Sequence, residues 1–243
     1  MPLSNQVYHH LIKSRPGVLA LFDPDRMSIP RAEKLTRFAC DNGAQGILVG
    51  SSILVTAGFE RFLSAVKRCA DKPIILFPGG TQQLSPKADA LFFLSLISGR
   101  NPELIIGEHV RSAFLIREFG LEVIPVGYIL IESGNYTSVE FMSNSKPLPR
   151  TKWEICAAHA LAGQYLGMKF IYLEAGSGAR QPVPAQFVSK VRKIINIPLI
   201  VGGGIRTVGD ARRIIDAGAD YIVLGSILER SPAKFRQITR SIR

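Results

Sequence analysis

The sequence predicts an α/β fold, a single (β/α)₈ TIM barrel spanning residues 1–243, and three observations carry that prediction. The first is a repeated pattern in which a short aliphatic and β-branched run ends abruptly in glycine or charge and gives way to helical spacing. The second is length, since 243 residues lie close to the ~250 typical of one such barrel. The third is a pair of bare-backbone turns near the C-terminus, at the ends of Pro198 to Gly204 (PLIVGGG) and Tyr221 to Ser226 (YIVLGS). Glycines there let peptide N–H groups approach an anion, and the following helix points its positive end at the same spot. Two such turns, one after each of the last two strands, are how a barrel of this kind holds a phosphate.

Taken in order, Ser4 to Ser14 reads as a lead-in helix closing one end of the barrel, and Val18 to Phe22 as the first buried strand, broken by Asp23-Pro24-Asp25-Arg26. A helix from Pro30 to Asp41 stops at Asn42-Gly43. The second unit has strand Gly46 to Val49, turn Gly50-Ser51-Ser52 and a helix from about Gly58 to Ala70. Pro73 to Phe77 and Ala90 to Leu94 are the third and fourth strands. The stretch between them, Thr81 to Asp89, is too short for an ordinary parallel crossover, so the third outer helix is expected to be missing or replaced by extended chain.

Pro102 to Phe119 reads as a helix and Val123 to Ile131 as the fifth strand. Glu132 to Arg150 is a long polar loop over the catalytic face, of the kind that serves as a lid or substrate-binding segment. Thr151 to Leu166 is an Ala-rich helix with Glu154 at the capping-box position. The sixth strand, Lys169 to Leu173, runs into Glu174-Ala175-Gly176-Ser177-Gly178. Helices over Pro184 to Ile195, Val208 to Ala217 and Ala233 to the C-terminus complete the pattern.

Composition narrows the function classes. Nothing resembles an N-terminal signal sequence, and the longest apolar run, Ala90 to Ile97, is far short of the roughly 20 residues of a membrane span, so a soluble, cytoplasmic protein is expected. Cys40, Cys69 and Cys156 are scattered, without zinc-site spacing, and read as reduced packing residues. The formal charge of +11 favours anionic partners. The basic residues are dispersed and no nucleic-acid motif is present, so nucleic acid is not expected; a polyanionic small substrate or loose contact with an anionic membrane surface fits.

The strand ends bring Asp23, Ser52, Glu132, Glu174, Gly203-Gly204 and Gly225-Ser226 to one rim, which marks an active site. Six stretches there and beyond, FDPDR (22–26), GSS (50–52), FPGG (77–80), ISGRNPELIIGEH (97–109), YLEAGSG (172–178) and VGGGIR (201–206), closely resemble the geranylgeranylglyceryl phosphate synthase family, in the same order over nearly the whole chain. The Asn-Pro-Glu stretch and YLEAGSG are the most specific. The related heptaprenylglyceryl phosphate synthases share the outline but are less similar in the middle segment.

The resemblance implies a magnesium-dependent prenyltransferase that joins sn-glycerol 1-phosphate to a C20 prenyl diphosphate through an ether bond, and it also implies an irregular third crossover. Matched residue by residue, Asp23 and Ser52 fall on the metal-binding positions. Tyr172, Leu173, Glu174, Ala175, Gly176, Ser177, Gly178, Gly203, Gly204, Gly225 and Ser226 fall on the glycerol-phosphate site. Arg26 stands where the family commonly has lysine.

These residue types suit the chemistry. A hydroxyl must attack C1 of an allylic diphosphate; Mg²⁺ on hard oxygen ligands such as Asp23 neutralises the leaving group, with Ser52 acting through the diphosphate or water. Glu174 is the expected general base, with an ion pair to Arg180 as its structural alternative. The prenyl tail needs an apolar groove, expected near Phe77, Leu91, Phe93 and the helix carrying His109 and Ser112, where the missing helix opens the barrel wall. A homo-oligomer is expected. A phosphosugar isomerase on the same fold and a non-catalytic phosphate-binding scaffold are the rival readings.

Overall fold

The computed structural model describes residues 5–242. Its regular elements run α1 (Gln6–Lys13), β1 (Gly17–Phe22), α2 (Ile29–Asp41), β2 (Ala44–Val49), α3 (Phe59–Cys69), β3 (Ile74–Leu76), β4 (Ala90–Leu96), α4 (Glu108–Phe119), β5 (Glu122–Leu130), α5 (Ser138–Ser143), α6 (Trp153–Tyr165), β6 (Phe170–Glu174), α7 (Ala185–Arg192), β7 (Leu199–Gly202), α8 (Val208–Asp216), β8 (Tyr221–Leu224), α9 (Ser226–Arg230) and α10 (Pro232–Ser241). All eight strands are parallel and bond in sequence order, and β8 closes against β1 with Gly17 opposite Tyr221. The barrel expected from the sequence is therefore present.

The strands read as unbroken apolar runs because both faces are covered. Alternate residues divide between two layers. Leu19, Leu48, Ile75, Phe92, Ile200 and Tyr221 fill the barrel interior. Val18, Ala20, Ile47, Val49, Leu173 and Val201 face outward onto helix residues such as Leu35, Phe62 and Phe187. Val7 and Leu11 of α1 join the interior group, so this helix plugs the end where the strands begin. The Glu122 carboxylate accepts from the Val7 and Tyr8 N–H groups at 2.8 and 2.7 Å, satisfying free amides at the positive end of α1. Ser4, placed in that helix from the sequence, and Arg243 at the C-terminus lie outside the described residues.

The third crossover is short and lacks an outer α-helix, as expected: between β3 and β4 there is one 3₁₀ turn, Thr81–Gln83, and otherwise bends, a turn at Pro86-Lys87 and irregular chain. Four details differ from the sequence reading. The capping box expected at Thr151 and Glu154 does not form; the chain enters α6 through a turn in which the Lys152 N–H donates to the Pro149 carbonyl, and Lys152 takes the cap position. A capping box forms instead at Thr207 and Asp210, heading α8. The helix expected from Pro102 starts with a π-helical turn, Glu103–Gly107, before α4. The loop after β5 contains α5, and a short α9 precedes the last helix, ended at Ser231 by Pro232, whose fixed φ starts α10.

Candidate active site

A cavity of about 700 Å³ opens where the strands end. Asp23, Ser52, Tyr172, Glu174, Gly176, Ser177, Gly178, Gly203, Gly204, Gly225 and Ser226 line it, so almost every residue singled out from the sequence meets there. Three are not in the wall. Leu173 and Ala175 alternate with Tyr172 and Glu174, and their side chains pack into the outer layer. Glu132, at the end of β5, is exposed and off the cavity, because its peptide pairs with Leu148 across the base of the lid.

Glu174 is buried at the end of β6, and burial pushes its pKa up to about 7. Its Oε1 accepts the Gly176 N–H at 2.5 Å. That bond favours the ionised form without overcoming the desolvation. Among the described residues the carboxylate has no ion-pair partner; Arg180, its expected alternative partner, donates its backbone N–H to Asn135 Oδ1 instead. A carboxyl group poised near neutrality, without a cation to hold it, is suited to taking up a proton. Tyr128 was missed from the sequence, although it stands opposite Tyr172 in the β5–β6 register and strand alternation places it on the same inner face. Phe77, Tyr128 and Tyr172 form the aromatic floor, their ring centroids 5.2 to 6.1 Å apart. The Tyr172 hydroxyl is buried with no hydrogen-bond partner among the described residues, which leaves a polar group facing the cavity for a ligand to satisfy.

Around this floor the turns after β6, β7 and β8 are bare backbone. Gly203 has φ +80°, in the left-handed region, and a Cβ there would lie 2.7 Å from the Gly176 nitrogen and against Glu174 Oε1. The β7 turn is thus folded around the carboxylate. Ser226 opens α9 directly after β8, so the first amides of that short helix lack intrahelical partners at the cavity rim. Arg206, Arg230 and Lys234 add positive charge to the same wall. The arrangement suits a phosphate group.

Across the cavity Asp23 follows β1. Its Oδ1 accepts the Asp25 N–H at 3.0 Å and its Oδ2 pairs with Arg26 at 3.1 Å. Burial raises its pKa, opposed first by the Asp25 N–H and then by Arg26. Burial raises the pKa of nearby Glu229 of α9, opposed by the charge of Arg26, and the Asp23 carboxylate raises it further. Among the described residues no group of three or more His, Cys, Asp or Glu side chains could cage a metal ion. One half-buried carboxylate, a second nearby, and the Ser51 and Ser52 oxygens nevertheless fit Mg²⁺, which binds through one or two carboxylates and completes its shell with substrate phosphates and water.

From this end the cavity runs beneath the lid and along the wall left open by the third crossover. Leu91, Phe93, Leu94, Leu104, His109 and Ser112 line that side, and Val139 and Met142 of the lid cover it. His109 is held by Ser95 at 3.1 Å and packs edge-on against Phe93, and burial lowers its pKa, keeping the imidazole neutral. The groove expected from Phe77, Leu91, Phe93, His109 and Ser112 is continuous with the polar end.

Comparison with known proteins agrees with this geometry. The chain is 45% identical over 224 residues to the geranylgeranylglyceryl phosphate synthase of Thermococcus gammatolerans, covering 92% of this chain and 88% of that protein. It is 39% identical over 232 residues to the corresponding protein of Spirosoma linguale, covering 96% and 93%. The crystal structure of (S)-3-O-geranylgeranylglyceryl phosphate synthase from Thermoplasma acidophilum, in complex with its substrate sn-glycerol-1-phosphate, superposes with a TM-score of 0.92 at 33% identity over 97% of both chains. With the PcrB family model matching residues 9–242 as well, this chain belongs to the PcrB family, among the geranylgeranylglyceryl phosphate synthases.

Proposed function

We propose that this chain transfers a geranylgeranyl group from its diphosphate to the C3 hydroxyl of sn-glycerol 1-phosphate. The observation that carries the reading is one cavity with two unlike ends: glycine turns around a buried, uncompensated Glu174, and an apolar groove opened by the degenerate third crossover. A phosphosugar isomerase would have no use for the groove.

The phosphate of glycerol phosphate lies against the turns at Gly176 to Gly178, Gly203-Gly204 and Gly225-Ser226, with the glycerol beside Tyr172. Glu174 accepts the C3 hydroxyl proton as that oxygen forms its bond to C1 of the prenyl group. The bond from C1 to the diphosphate oxygen breaks, and diphosphate leaves with the electron pair. Asp23, helped by Ser51 and Ser52, would hold Mg²⁺, which when bound neutralises charge on the leaving diphosphate. Arg26 and Lys234 add positive charge at the cavity wall. Phe77, Tyr128 and the lid keep water from the allylic carbon.

Purified protein incubated with geranylgeranyl diphosphate and each enantiomer of glycerol phosphate tests the reading. Diphosphate release is expected with the sn-1 enantiomer and Mg²⁺ and is expected to stop with a chelator. Equal release with both enantiomers, or none, would overturn it. Longer prenyl diphosphates in the same assay measure the reach of the groove. The same reading includes self-association, supported by the exposed Val110 and Phe114 on α4, and peripheral contact with anionic lipid, supported by the +11 charge. Sedimentation velocity and vesicle flotation test these two points, a monomer or unbound protein counting against each. Among the described residues no helix is long and apolar enough to cross a membrane.

A further inference from the structure

The 3₁₀ turn that replaces the third outer helix carries a fully buried glutamine that no step above uses. Gln83 Nε2 donates to the Ser51 carbonyl at 2.8 Å, and its Oε1 accepts the Ser51 N–H at 2.9 Å. Both halves of the carboxamide are thus engaged by the peptide groups of one residue. Ser51 precedes Ser52 in the loop after β2, and both line the cavity while Gln83 does not. The same loop is held from two other sides. Asp25 accepts the Val55 and Thr56 N–H groups at 2.9 and 2.7 Å. Gly79, at the end of β3, packs so closely that a Cβ would lie 2.9 Å from the Ser52 carbonyl oxygen.

A rim loop facing solvent can satisfy its peptide groups with water and needs no buried side chain for that purpose. A two-point amide clamp instead holds both peptide units that flank Ser51, the first by its N–H and the second by its carbonyl, and with them the direction in which Ser52 leaves the strand. We propose that Gln83 is a positioning residue for the diphosphate half of the site: it touches neither substrate and sets the Ser51–Ser52 peptide against the diphosphate and its cation. The short third crossover then has two roles, opening the groove for the prenyl chain and supplying the clamp for the leaving group beside it. This inference rests on the proposed reaction, which places the diphosphate at Asp23 and Ser52.

The test needs no turnover. Inorganic pyrophosphate with Mg²⁺, and separately sn-glycerol 1-phosphate, are titrated calorimetrically into wild type, Gln83→Met and Gln83→Glu. Methionine keeps the length and loses both bonds; glutamate keeps the acceptor for the Ser51 N–H and loses the donor. Pyrophosphate binding is expected to weaken about tenfold or more in Gln83→Met, because the ligand must then order the loop that the clamp had held, with glycerol phosphate binding changed less than about twofold. Gln83→Glu should show the same selective loss and carries the test if the methionine variant does not fold. Unchanged pyrophosphate affinity, or equal loss for both ligands, would overturn the clamp. A wild type that binds neither ligand would overturn the reaction reading on which it rests.

Discussion

Gly203 leaves bare the space that Glu174 occupies: a Cβ at position 203 would fall on Glu174 Oε1 and 2.7 Å from the Gly176 nitrogen that donates to it. The turn after β7 therefore does two things, baring amides toward the cavity and accommodating the carboxylate of the neighbouring strand. A substitution at 203 cannot report on phosphate alone. Gly203→Ala is expected to cost about 1–3 kcal/mol of stability, from the φ of +80° and the crowding. It should also displace Glu174, lowering turnover together with glycerol phosphate affinity. Thermal melts and steady-state kinetics check this; a stable variant that loses only phosphate affinity contradicts it.

Tyr172 separates stability from function. Its buried hydroxyl has no partner among the described residues, so Tyr172→Phe removes a polar group that is unsatisfied in the free protein. The melting temperature should stay level or rise, while glycerol phosphate affinity or turnover falls by about tenfold, one hydrogen bond's worth. A drop in melting temperature without a kinetic effect would make the hydroxyl structural.

Asp23→Asn keeps the shape of a half-buried residue and removes the charge proposed to hold Mg²⁺. The fold should survive, and activity at saturating Mg²⁺ should fall at least about 100-fold, comparable to the loss of one major electrostatic contact. Titrating Mg²⁺ against diphosphate release checks this, and full activity in the variant would remove Asp23 from the metal site.

The pKa of Glu174 has a sign that can be read in two ways. Because burial raises it from 4.5 to about 7, the protonated form is favoured in the folded state, and the stability this brings is present below pH 4.5 and is lost as pH rises through 7. Wild type should therefore lose stability relative to Glu174→Gln between about pH 5 and pH 8, by an amount on the order of a few kcal/mol. Activity should run the opposite way, with kcat/KM climbing through pH 7 as the base ionises. Flat difference curves would mean that Glu174 titrates at its ordinary value.

The barrel was legible because each of its strands advertises itself as an apolar run closed by glycine or charge, and the short Thr81 to Asp89 crossover because chain length alone forbids a helix and a return. Strand ends also mark the rim, since Asp23, Gly203 and Gly225 follow their strands directly, Glu174 is the last residue of β6 and Ser52 lies three residues past β2. What escaped depends on facing direction and tertiary partners. Leu173 and Ala175 sit inside a site motif but alternate to the outer side, and Glu132 follows a strand whose next peptide pairs with Leu148. Tyr128 lies mid-strand, where an inward polar tip looks like any core aromatic. The Thr151 box failed because a local turn, closed by the Lys152 N–H on the Pro149 carbonyl, moved the start of α6 one residue on. Gln83 reads in sequence as an ordinary polar loop residue; its burial follows from the packing of the β2 and β3 loops.

The most direct test of the central claim is the turnover of Glu174→Gln at saturating substrates and Mg²⁺, measured beside glycerol phosphate affinity. Glutamine preserves the size and the acceptor for the Gly176 N–H but cannot take the hydroxyl proton. The account predicts a fall in kcat of about 10²- to 10⁴-fold, with the dissociation constant for sn-glycerol 1-phosphate changed only a few-fold. Intact turnover in a folded Glu174→Gln protein would contradict it and send the proton elsewhere.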